Sequence, residues 1–412
     1  MLSIKEAKKT MERVIEPQII DRDVEPIPLW NAGGRVLAQE VIAREHVPHF
    51  ERSPVDGFAL CANDTPQASA AEPVTLKVIG TVAAGSYTEK RITSGTAIKV
   101  FTGAPLPEGA DCIIKIEEVD ERTSQAGESL FVKIKRPVER GEAIVSRGED
   151  ITCGEHLFSK GTVLSSSHMG ILSTLGIDPL FVYKKPVVGV FSTGNELVGL
   201  HSQLKYGQIR ASNIYTLAEI IREAGGIPVN FGVVGDRSED IAELYQRAQK
   251  LKIPLVISTG GTASGDYDVI KEAMDKASTN RLFDKVAIRP GAPVVASEKE
   301  GQLIVGLSGN PAGATVGMLI LLLPIIARIG GSDNQLIRTR GRLRKSIVRK
   351  RGLKGYLWAQ YCEEEGQLYA SPLEEQYCGA LKNHAESNCL IEVPSGRVNL
   401  SIGDAVNILR LS

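Results

Sequence analysis

Three glycine-rich turns, each directly after an apolar β-type run and before a helix-like segment, constrain this chain most. They are Ser192-Thr193-Gly194-Asn195-Glu196, the run from Ser258 to Asp268 (Ser-Thr-Gly-Gly-Thr-Ala-Ser-Gly-Asp-Tyr-Asp), and Gly306-Leu307-Ser308-Gly309-Asn310-Pro311. Strand, glycine turn, helix leaves backbone N–H groups free at a helix N-terminus, where an anion can sit. In a parallel sheet such turns gather along the carboxyl edge of the strands, where ligands bind. Acidic residues in two of the turns suggest a phosphorylated ligand and a divalent cation.

At 412 residues the chain exceeds one ordinary core, so two to four domains are expected. Lys+Arg 48 against Asp+Glu 49 argues against a nucleic-acid partner. The charged, helix-like start from Met1 to Lys9 lacks the apolar core of a signal peptide. The six cysteines are scattered without a Cys-x-x-Cys pair, which fits a reducing cytoplasm rather than a zinc site or disulfide framework. Ala312 to Ala327 is almost entirely apolar but is broken by Gly313, Gly317 and Pro324. It is also shorter than the roughly 20 residues a bilayer needs, so a buried helix is expected and no membrane partner.

Residues 3–15 read as an amphipathic helix. A second helical stretch is expected over Pro26–Leu37, entered through Pro28, and then a strand within Val36–Ala43. Short runs at Val74–Ile79, Ala97–Phe101, Cys112–Ile116 and Leu130–Ile134, separated by Gly/Pro turns, predict a small β domain. Residues 140–180 are rich in turns. From Pro186 onwards strands alternate with helices: Val187–Phe191, Ser212–Ala224, Val229–Val234, Glu239–Leu251, Leu255–Ser258, Val269–Ala277, Lys285–Ile288, Leu303–Leu307 and the helix after Pro311. This predicts a doubly wound, mostly parallel α/β domain over 183–331. Residues 332–412 return to β-like alternation.

Gly260, Gly261 and Gly265 permit close backbone approach, and Asp266 and Asp268 follow in the same turn. They suit a phosphate- or Mg²⁺-binding loop; helix capping by Asp is the plainer alternative. Neither a Walker A loop nor a dinucleotide fingerprint is present. Glu196 and Asp236 sit where strands end and could bind metal or a ribose hydroxyl, or simply cap. Arg289, in Arg289-Pro290-Gly291-Ala292-Pro293, could pair with a phosphate or oxyanion, although a surface turn with one arginine is the plainer reading. Asp56, Thr102 and Asp150 lie in tight turns, and the six histidines show no metal spacing.

These motifs, in this order, resemble the molybdopterin molybdenumtransferase family, the MoeA and gephyrin E-domain group. The resemblance covers essentially the whole chain: Pro54-Val55-Asp56-Gly57-Phe58-Ala59, Thr102 to Asp111, Arg147 to Ile151, Phe191 to Leu197, Gly207-Gln208-Ile209 with Ser212-Asn213, Gly260-Gly261 with Gly265 to Asp268, and Gly306-Leu307 with Gly309-Asn310-Pro311.

The resemblance implies four domains: a discontinuous one of residues 1–44 and 141–182, an inserted β domain over 45–140, a molybdopterin-binding α/β domain over 183–331, and a C-terminal β-barrel-like domain over 332–412. It implies a homodimer with an active cleft between subunits, and insertion of molybdate into adenylyl-molybdopterin with Mg²⁺ and release of AMP. A molybdopterin adenylyltransferase and recipient molybdoenzymes are the implied partners. Asp56, Asp150, Glu196, Asp268 and Arg289 are then the expected catalytic residues. Glu196, Asp236 and Asp268 are the expected metal ligands. The substrate would be held by Thr102, Thr193, Gly194, Ser212, Asn213, Gly260, Gly261, Gly265, Asp266, Gly309, Asn310 and Pro311. The chain departs from the family at Ala292, where a lysine is usual, at Arg210-Ala211 in place of Tyr-Asp, and at Ser308 in place of proline. Those changes leave room for a molybdopterin-binding carrier without catalysis, or for a tungstate-inserting variant.

Overall fold

A computed structural model describes residues 1–123, 130–262, 269–333, 335–349, 352–377, 379 and 381–411. The chain divides into two compact units. The first comprises Met1–Ala38, Gly161–Ser165 and Leu180–Ser412, and the second Gln39–Lys160 and Ser166–Pro179.

The second unit is built on a six-stranded sheet of β1 (Gly57–Leu60), β2 (Val74–Val82), β3 (Thr96–Val100), β4 (Cys112–Lys115), β5 (Val119–Thr123) and β6 (Leu130–Ile134), in the order β4-β1-β3-β2-β6-β5. Phe58, Leu60, Leu76 and Ile114 are fully or almost fully buried on one side of it, as alternating strands require. A helix forms at Ser166–Thr174, within the turn-rich stretch of residues 140–180.

In the first unit, helix α1 (Ile4–Ile20) starts at a capping box: the Glu6 amide donates to Ser3 Oγ (3.2 Å) and the Ser3 amide to Glu6 Oε2 (2.8 Å). Ala7, Met11 and Ile15, four apart, bury its inner face. The helix outlasts the expected end at residue 15, running on through Pro17, and the Asp21 amide closes the last turn on Pro17 O.

The expected helix over Pro26–Leu37 does not form. Val24–Ile27 is a strand paired antiparallel with Leu180–Tyr183, followed by a single short turn of helix at Leu29–Asn31. Pro26 and Pro28 donate no hydrogen bond, Gly34 sits at φ +71°, and the strand's partner lies some 155 residues away.

The α/β core sheet has six strands: β7 (Val187–Thr193), β8 (Ile227–Val234), β9 (Leu255–Thr259), β10 (Asn280–Phe283), β11 (Val295–Lys299) and β12 (Gln302–Leu307). Their order is β8-β7-β9-β12-β11-β10. The first four run parallel, with α3 (Asn213–Glu223), α4 (Ser238–Lys250) and α5 (Val269–Lys276) among the connections; α2 denotes the Ser166–Thr174 helix. The last two are antiparallel, β11 and β12 forming a hairpin through Glu300 (φ +48°) and Gly301 (φ +82°). The expected strand at Lys285–Ile288 is displaced. Ile288–Arg289 instead leaves this sheet and pairs with Lys354–Gly355.

Helix α6 (Pro311–Ile329) contains a π-helical turn at Met318–Leu322. By length and composition it could cross a membrane, but 89% of its apolar window is buried in the fold. The C-terminal strands β13 (Arg338–Leu343), β14 (Lys354–Glu364), β15 (Gln367–Pro372), β16 (Cys389–Val393) and β17 (Ala405–Arg410) pair in a closed ring, β14-β15-β13-β17-β16 and back to β14. Closure leaves no free edge among them.

Candidate active site

The carboxyl ends of β7, β8, β9 and β12 carry the glycine turns to one place. They line a pocket of about 620 Å³ together with the start of α3. Thr193, Gly194, Glu196, Ser212, Asn213, Asp236, Gly260, Gly261, Gly309, Asn310 and Pro311 all line it, so eleven expected residues from five chain segments converge. Gly265, Asp266 and Asp268 lie outside the described residues.

The turns pack too closely for side chains. A Cβ on Gly260 (φ +99°) would stand 2.1 Å from the Thr193 carbonyl oxygen, and one on Gly309 would stand 3.1 Å from Gly260 Cα. A Cβ on Gly194 would meet both oxygens of Glu196 at 2.7 Å, so the Glu196 carboxylate folds over its own turn. Asp236 ties β8 to β7: Thr193 Oγ1 donates to Oδ1 (2.7 Å) and the Asn195 amide to Oδ2 (3.2 Å). Asn213 Nδ2 donates to Gly309 O (2.9 Å), joining α3 to the third turn.

Two helix starts here behave unusually. Ser212 precedes α3 and Asn310 precedes α6, yet neither side chain makes the capping bond its position offers. Asn310 Oδ1 is buried and has no hydrogen-bond partner. An orphaned buried acceptor calls for an explanation, and a ligand group in this pocket supplies one.

The charged groups lining the pocket are Glu196, Asp236 and Arg210. The Arg210 guanidinium is held by the carbonyls of Leu200 (2.9 Å) and Ser202 (3.2 Å). Among the described residues no three His, Cys, Asp or Glu side chains form a metal cluster. Mg²⁺ commonly uses only one or two carboxylates plus substrate phosphates, so the Glu196 and Asp236 pair fits its donor chemistry.

Arg289 is not among the residues lining the pocket, although Pro293 is. Its strand lies against β14, close to Arg349. Arg349 Nη2 donates to the carbonyls of Leu353 (2.7 Å) and Pro394, while its Nε is buried without a partner. Burial, then the charge of Arg289, hold the Arg349 guanidinium below its ordinary pKa. Arg289 and Arg349 thus bring two guanidiniums near one another, outside the lining of the pocket. Sequence reasoning missed Arg349, since nothing local marks it and only the pairing of Ile288–Arg289 with β14 brings it near.

The remaining expected residues lie in the second unit. Asp56 and Thr102, 46 positions apart, are joined there: the Thr102 amide and hydroxyl both donate to Asp56 Oδ1 at 2.8 Å. Those bonds hold the exposed Asp56 carboxyl below its ordinary pKa. Asp150 follows the Arg147-Gly148 turn, its amide bonded to Val47 O (3.0 Å).

Residues 2–176 match the family model described as MoeA N-terminal region (domain I and II), residues 189–328 the probable molybdopterin binding domain, and residues 340–411 the MoeA C-terminal region (domain IV). The molybdopterin molybdenumtransferase of Bacillus subtilis (strain 168) is 33% identical over 388 residues, covering 94% of this chain and 90% of that one. That of Nostoc sp. (strain PCC 7120) is 29% identical over 419 residues, covering 100% and 94%. The crystal structure of the molybdopterin biosynthesis moeA protein from Pyrococcus horikoshii OT3 superposes with a TM-score of 0.83 at 29% identity, covering 100% of each chain. With three matched regions in order and a full-length relative at that identity, the chain belongs to the molybdopterin molybdenumtransferase family, enzymes of molybdenum cofactor biosynthesis.

Proposed function

We propose that the chain inserts molybdate into adenylyl-molybdopterin in a Mg²⁺-dependent reaction that releases AMP. The observation that carries this reading is the convergence of three glycine turns on one pocket where Ser212 and Asn310 leave their capping bonds unmade. Free amides and uncommitted polar side chains suit a nucleotide diphosphate linkage.

The pocket's charge supports the cation. Two carboxylates face one arginine whose Nε and Nη2 are already directed to carbonyls, so a pyrophosphate alone meets net negative charge. Glu196 and Asp236 would hold Mg²⁺, which when bound neutralises charge on the phosphates. Thr193 and Asn195 fix Asp236 in place, and the glycines let the turn backbones approach the linkage. Arg289 and Arg349 would receive the molybdate dianion. In phosphoryl chemistry of this kind positioning and charge stabilisation do most of the work.

Asp56, Thr102 and Asp150 would complete the cleft from a second subunit of a homodimer. Molybdate then enters a site assembled from both chains, and the product passes to recipient molybdoenzymes. An adenylyltransferase upstream would supply the substrate.

The test is AMP release from adenylyl-molybdopterin on adding molybdate and Mg²⁺, with protein in catalytic amounts. Multiple turnovers are expected. Tight pterin binding without AMP release would overturn the catalytic reading in favour of a carrier, and preference for tungstate would reassign the oxyanion.

A further inference from the structure

Away from the glycine turns, the first unit holds a second pocket of about 540 Å³ between α1, α6 and the C-terminal barrel. Its apolar wall comes from Leu319 and Ile320 of α6 and from Leu336 and Leu409. Its charged residues are three cations, Lys8, Arg338 and Lys354, against one carboxylate, Glu392.

Glu392 is already saturated. Its Oε2 accepts from Arg338 and from Asn407 Nδ2 (3.2 Å), and its Oε1 from Lys354 Nζ (3.1 Å). It is nearly buried, and such a carboxylate stays ionised only because those donors hold it. It therefore offsets one positive charge and leaves two. Lys8 has no hydrogen bond or ion pair among the described residues, and the nearest acid on its own helix, Glu12, is paired with Arg328 (2.8 Å). Burial, partly opposed by Glu12, holds the Lys8 amine below its ordinary pKa; Lys354 and Arg338 add to the lowering and Glu392 opposes it. A half-buried amine without a partner, facing two further cations over an apolar wall, lacks an anion.

We infer that this pocket binds a small organic anion, a carboxylate or phosphate monoester carried on an apolar body, with Lys8 and Arg338 receiving the charge and Leu319, Ile320 and Leu409 the body. The volume falls within the range of ordinary small-molecule sites. The assignment is independent of the reaction at the glycine turns.

Titration calorimetry of the full chain tests this, with phenylacetate and phenyl phosphate as probes and benzyl alcohol as the neutral control. One saturable site per chain is expected for at least one probe, and none for the alcohol. Which probe binds decides carboxylate or phosphate. Lys8→Met is expected to weaken binding by about tenfold or more. Its unfolding midpoint reports whether the variant is folded, and Lys8→Arg, which keeps the charge, is expected to retain binding. Absence of saturable binding by either probe, or equal affinity in folded Lys8→Met, would overturn the proposal.

Discussion

Gly260 stands against the carbonyl oxygen of Thr193, so close that any side chain at Gly260 would collide with the backbone of the neighbouring turn. The first two glycine turns touch there, and the third closes on the same point through Gly309. Gly260→Ala is expected to destabilise the chain by about 3 kcal/mol, combining a positive φ with a backbone clash. Urea unfolding measures it, and an unchanged midpoint would mean that the turns are not rigidly packed.

Asp236 receives the Thr193 hydroxyl and the Asn195 amide, and an asparagine could keep the first bond while losing the charge. Asp236→Asn is expected to fold normally, to need more Mg²⁺ for half-maximal rate and to lose about 10²-fold in turnover. A Mg²⁺ titration of AMP release checks this. An identical metal dependence would remove Asp236 from the metal site.

Arg349→Gln removes one guanidinium of the Arg289 pair. The molybdate concentration needed for half-maximal rate is expected to rise about tenfold or more, while affinity for the adenylyl substrate holds. Steady-state kinetics with molybdate varied separate the two. Equal loss on both substrates would mean that Arg349 supports the barrel rather than the oxyanion.

Asp56 is held below its ordinary pKa by Thr102, and its carboxylate form is therefore favoured by folding. The stabilisation is present above the unfolded carboxyl's pKa and lost as pH falls through the lower folded value. Thr102→Val is expected to raise the Asp56 pKa toward that of an ordinary aspartate, as read by NMR titration. No upward movement would show that Thr102 does not set the carboxyl.

Mixing inactive Asp56→Asn with inactive Asp236→Asn is expected to restore about a quarter of wild-type turnover. Half the dimers would be mixed, each with one intact site, if the cleft spans two subunits. No recovery after subunit exchange would confine the site to one chain.

The turn chemistry of this protein is written locally. Apolar runs ending in Ser-Thr-Gly, Ser-Thr-Gly-Gly and Gly-Leu-Ser-Gly-Asn-Pro fix strand, tight turn and helix in succession, and parallel-sheet geometry then carries them to one edge. Hence Thr193, Glu196, Asp236, Gly260 and Asn310 were legible before any coordinates. The sequence also determined the alternation of the inserted β strands and the buried character of α6. What it left open are pairings between distant segments. Val24–Ile27 becomes a strand because Leu180–Tyr183 lies beside it, and β11 adds antiparallel to β12, with β10 beyond it at the edge, because β12 offers a free side. Arg349 comes near Arg289 only because Ile288–Arg289 crosses to the C-terminal barrel. Local sequence sets backbone preference and side-chain chemistry over a few residues; which charges end up adjacent, and which helix-start side chains go without their caps, depends on tertiary packing.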